Sequence, residues 1–89
     1  MDIKRWQNFT KRQQILTIKS EFMRAVTWQN NDQEKFLLAL ERALELIDLT
    51  LSDKKWKNNL QMLLVLREEV AKFYTGQRRD SFFLIYNAL

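Results

Sequence analysis

Residues 31–51 read NDQEKFLLALERALELIDLTL, and this run decides the fold. Phe36, Leu40, Ala43, Leu44, Ile47 and Leu51 recur at the i, i+3, i+4, i+7 spacing that lines one face of an α-helix. Asn31 with Glu34 three residues later has the form of a capping box, whose two side chains satisfy backbone N–H groups left unpaired at a helix start. The spacing predicts a helix over 32–50.

The same period continues on both sides. Ile15, Ile18, Phe22, Ala25 and Val26 predict a helix over 5–28. Trp56, Leu60, Leu63, Leu64, Val70, Ala71 and Tyr74 predict another over 53–74, with Ser52 as its N-cap and Asp53 placing negative charge in its first turn. Gly76 stands where a left-handed residue would end that helix. Phe82, Ile85, Tyr86 and Leu89 predict a short helix over 80–88, capped by Asp80. The chain has no Pro and a single Gly, so it lacks the recurrent turn signals of a β-rich fold. Short connections make neighbouring helices antiparallel. The expectation is all-α: an antiparallel up-down-up three-helix bundle in one domain, residues 1–89, with a short C-terminal fourth helix across a groove or an end.

Composition narrows the chemistry. The 89 residues are 46% hydrophobic, enough for a core, and charges interrupt every apolar stretch before a membrane span is reached. There is no Cys and no visible signal peptide, which gives a cytoplasmic expectation. There is also no His, so no Ser or Thr has the usual base to activate it. A single Gly cannot build a phosphate-binding loop. Glu34, Glu41, Glu45 and Asp48 share one side of the second predicted helix, but without Glu-x-x-His spacing they read as a solvated acidic face. Adjacent Glu68 and Glu69 diverge around their helix, and Glu68 is placed to pair with Lys72. No enzyme activity, cofactor or metal is expected.

Charge is uneven. Residues 1–31 carry six Lys or Arg against two acids, and residues 32–51 carry two against five. Lys4, Arg5, Lys11 and Arg12, interleaved with Trp6 and Phe9, have the composition of a nucleic-acid-binding patch. The preferred reading is that the basic first helix pairs with the acidic second one.

Other residues break the stripes. Trp6, Leu38, Leu49 and Val65 lie off the main apolar faces, and Leu38, Leu46 and Leu49 with Lys35 and Arg42 form a second seam on the second predicted helix. Either the C-terminal helix covers that seam, or it is a protein interface, a homodimer being one form of it. Lys19 and Arg67 interrupt apolar stripes, as snorkelling side chains or as ion pairs that set register. A turn centred near residue 30 would place Lys19 level with Glu41 and Arg12 level with Asp48, with Arg67 reaching Glu21 or Glu34. The expected function is a helical interaction module that binds a protein partner or itself. Nucleic-acid binding through Lys4, Arg5, Lys11 and Arg12 is the alternative.

Overall fold

A computed structural model describes residues 2–89. Its elements are α1 (Ile3–Gln7), α2 (Lys11–Trp28), α3 (Gln33–Leu51), a 3₁₀ segment (Lys54–Asn59), α4 (Leu60–Tyr74) and α5 (Phe83–Ala88). No strand is present among the described residues. The architecture is an all-α bundle, as the apolar periodicity predicts.

Two predicted helices are each divided. The 5–28 helix breaks at Asn8–Thr10, because Thr10 Oγ1 accepts from Gln13 N–H while Gln13 Oε1 accepts from Thr10 N–H. This is a complete capping box inside the predicted span. It frees α1 to fold back and bury Trp6. The 53–74 helix starts as a 3₁₀ segment, with Asp53 Oδ1 accepting from Lys55 N–H at its head. Ser52 is therefore the C-cap of α3 and not an N-cap. Asp32, one residue beyond Asn31, caps α3 through Lys35 N–H. Gly76 closes α4 at φ +79°, a conformation that L side chains rarely adopt. Asp80 does not cap α5; its carboxylate pairs with Arg78 instead.

Helix α3 is the central element, with α2 and α4 packed along two of its sides. Short α5 lies on α2 and touches α4 at one end of the gap between them. At the other end the gap receives Trp56 from the 3₁₀ segment, whose indole N–H reaches Gln14 on α2. Phe82 stands at the centre of the first end, its ring edge-on to Phe73 at 4.9 Å, Phe22 at 5.2 Å and Phe36 at 6.0 Å. Such edge-to-face pairs add to the large apolar area each ring buries. Gln29 fixes the approach to α5: its Nε2 donates to Asp80 O and its Oε1 accepts from Phe82 N–H, both at 2.7 Å.

The stripe of α4 is rotated from its predicted position. Leu63, Val70 and Phe73 are buried, whereas Leu60, Leu64 and Tyr74 are exposed. Phe73, outside the predicted stripe, is buried against Phe82, a contact that local periodicity does not contain.

The predicted ion pairs between α2 and α3 do not form. Lys35 of α3 sits over the Trp28 ring of α2, so the turn centres beyond residue 30 and the expected levels slip by most of a turn. Lys19 points toward α5 and lies 5.0 Å from the Tyr86 ring centroid. Glu41 accepts the Tyr74 hydroxyl, and Asp48 takes Arg67 rather than Arg12. Arg67 thus reaches neither Glu21 nor Glu34. Two carboxylates of the acidic face, Glu41 and Asp48, thus answer α4. Lys72 bonds Glu69, where the sequence suggests Glu68.

Candidate functional site

The second seam is only partly exposed, and Trp6 lies apart from it. Trp6 is 0% exposed, and its indole N–H donates to Thr50 Oγ1 at 3.0 Å. Leu46 is 8% exposed and belongs to the core, while Leu49 is half-buried against it. Leu38, at 45%, Lys35 and Arg42 remain open, lining a shallow groove with Arg24 and Trp28. The C-terminal helix plays no part in covering the seam, because α5 lies on α2 and α4. Trp6 is removed by the break at Thr10, and Leu46 by the closeness of α2 to α3.

The expected basic patch is also rearranged. Trp6 is buried and Phe9 half-buried against it, their rings 5.6 Å apart, so no exposed ring is interleaved with the cations. Lys4, Arg5, Lys11 and Arg12 are all exposed. Lys11 is engaged: its Nζ donates to Asn59 Oδ1 at 3.1 Å and lies 4.9 Å from the Trp56 ring centroid.

Sequence reasoning missed the buried polar knot at this end. Gln14 is fully buried on the core side of α2. Its Nε2 donates to Trp6 O and to Asp53 Oδ2, each at 2.9 Å, and its Oε1 accepts from Trp56 Nε1 at 2.6 Å. One amide therefore ties α1, α2 and the 3₁₀ segment together. Burial pushes the Asp53 carboxyl up, but hydrogen bonds from Lys55 and Gln14 outweigh it and hold the group below its ordinary value. Lys55 Nζ bridges Asp53 Oδ2 at 2.8 Å and Gln7 O at 2.6 Å. Together these bonds tie α1, α2 and the 3₁₀ segment into one network. The visible signal was a Gln at the head of an apolar stripe, four residues before Ile18 and eight before Phe22.

A different apolar groove is open between α2 and α5, about 270 Å³ in volume and lined by Leu16, Lys19, Ser20, Met23 and Tyr86. Phe83 extends it, stacked on Tyr86 with centroids 5.8 Å apart. Leu16, Met23 and Phe83 are exposed, and Lys19 is the one charge on the lining. This groove exists only because α5 returns to α2 across more than fifty residues of sequence, which local patterning cannot reveal.

The carboxylates of α3 make no metal cluster: no three Asp or Glu among the described residues converge in ligand geometry. The Glu41 carboxylate, accepting the Tyr74 hydroxyl at 2.8 Å, holds that phenol above its usual value. Arg78 bonds Asp80 and Glu69 and covers the Phe73 ring, so it serves the α4–α5 connection. No helix among the described residues is long and apolar enough to cross a membrane. Comparison with known protein families, curated proteins and solved structures gives no match.

Proposed function

We propose that the protein is a small non-enzymatic interaction module, and that its binding surface is the groove between α2 and α5. The observation that carries this reading is the composition of that groove: Leu16, Met23, Phe83 and Tyr86 around Lys19. Methionine and aromatic residues are enriched in the cores of protein interfaces, where they supply large, adaptable apolar contact. The occupant that fits is an amphipathic helix of a partner protein. Its apolar face would lie on Leu16, Met23 and Phe83, with a carboxylate meeting Lys19.

The test compares capture of partners from a lysate by three tagged forms: wild type, Leu16→Glu with Phe83→Glu, and Leu38→Glu. The reading expects a partner held by wild type and Leu38→Glu and lost by the groove variant. A partner lost only by Leu38→Glu would move the interface back to α3. A chain that captures only its own copies would make the groove a homodimer face.

A further inference from the structure

We infer that the end of the bundle formed by α1, the start of α2 and the 3₁₀ segment is a binding site for the phosphate backbone of a nucleic-acid duplex. The inference is independent of the α2–α5 groove. It rests on a juxtaposition that the linear sequence hides. Two basic segments more than forty residues apart, 4–12 and 54–57, come together at one end of the molecule. Lys55 Nζ donates to Gln7 O at 2.6 Å, Lys11 Nζ donates to Asn59 Oδ1 at 3.1 Å, and Gln14 bonds both Trp6 O and Asp53.

The cations there have divided roles. Lys11 and Lys55 are spent on holding the segments together, as those bonds show. Lys4, Arg5, Arg12, Lys54 and Lys57 are exposed, and their charged groups have no ion-pair or hydrogen-bond partner among the described residues. Residues 2–14 and 53–59 hold seven cations against Asp2 and Asp53, a net +5, where the whole chain is +4. These two segments alone thus carry more net positive charge than the whole chain. Asp53 is buried and already paired with Lys55, so it does little to offset the outward field.

The chemistry of the site selects its ligand. Every aromatic ring nearby is committed to the interior: Trp6 and Trp56 are buried and Phe9 is half-buried. Single-stranded recognition relies on rings that stack with bases, and this end offers none. What remains is a cluster of long, flexible cations, which suits densely spaced phosphates read without regard to sequence.

The experiment is fluorescence anisotropy of the full chain with a labelled DNA duplex of mixed sequence, across a series of salt concentrations. Parallel arms use an RNA duplex, single-stranded DNA, phosphatidylserine vesicles and polyglutamate. Five phosphate contacts would give a slope of log K against log salt of about −4.5, a loss of about 500-fold between 50 and 200 mM salt. Lys54→Gln with Lys57→Gln, and separately Arg5→Gln with Arg12→Gln, should each flatten the slope by about 2 and weaken binding about 60-fold at 0.1 M salt. Equal effects from the two pairs are the signature of the composite site. Circular dichroism on each variant confirms unchanged helicity, which these exposed positions should preserve. The inference is overturned if the duplex fails to bind at 50 mM salt, or if only the N-terminal pair matters. Stronger binding to vesicles, polyglutamate or single strands than to either duplex would overturn it as well.

Discussion

Arg67 on α4 holds Asp48 on α3 through a 2.6 Å bond from Nε, and Tyr74 donates to Glu41 at 2.8 Å. The acceptors are seven residues apart on α3, and the donors are seven apart on α4. Two turns of each helix are thus bridged at a single offset, which makes the pairs markers of the antiparallel register. They lie on the flank of α4 where the sequence places an apolar stripe with an arginine in its middle. The arginine neither snorkels alone nor forms a buried pair; it bridges two helices at the surface.

The energy of that bridge should be small. Arg67 and Asp48 are 42% and 51% exposed, so solvent and salt screen their attraction. Asp48→Ala should cost no more than about 1 kcal/mol in urea unfolding, and a double-mutant cycle with Arg67→Ala should give a coupling of about 0.2–1 kcal/mol. The coupling should shrink in high salt.

The buried amide of Gln14 should matter more. In Gln14→Met the Trp56 indole N–H loses its acceptor and Asp53 loses a donor. An unsatisfied buried group costs about 1–3 kcal/mol, so the variant should be destabilised by at least that amount. Hydrogen exchange should locate the loss in α1 and the 3₁₀ segment, leaving amides around Phe82 protected longer.

Asp53 supplies a pH signature. Its carboxyl is held below the ordinary value, so the folded state favours the ionised form more than the unfolded chain does. The stability it contributes is present above the unfolded pKa, about 3.9, and is lost as pH falls through the lower folded value. Asp53→Asn should be less stable than wild type at pH 7 by urea unfolding. The difference between the two should narrow as the pH is lowered below about 4.

Phe82 should be the most sensitive single apolar residue. It joins Phe22, Phe36 and Phe73, and thereby α5 to the bundle. Phe82→Ala should cost about 3–5 kcal/mol. Because α5 then loses its anchor, the groove on α2 should open, and Tyr86 should lose its protection from a soluble quencher.

What was legible in the sequence follows the range of the forces involved. Helix positions and the α3 stripe depend on neighbours three and four residues away, so Phe36, Leu40, Ala43 and Ile47 were readable as core. The Gly76 stop was local for the same reason. Thr10 and Gln13 were equally local, but their capping box lay inside the predicted 5–28 span, ahead of the stripe that begins at Ile15, and was absorbed into that helix. Trp6 could not be placed until that break was known. Lys54 and Lys57 gained their setting only through Gln14, Lys11 and Lys55, which act across about forty residues. The groove beside Met23 depends on α5 returning to α2, and nothing in the periodicity of either helix specifies that.

The most direct test of the proposed function is a photo-crosslinking amino acid placed at Met23 in one form of the chain and at Leu38 in another. Each is expressed in cells of the source organism and irradiated. The α2–α5 reading predicts a discrete heteromeric adduct from Met23, crosslinked to an amphipathic helix with an acidic residue within one turn, and no such adduct from Leu38. An adduct from Leu38 and none from Met23, or an adduct of two copies of this chain alone, would contradict it.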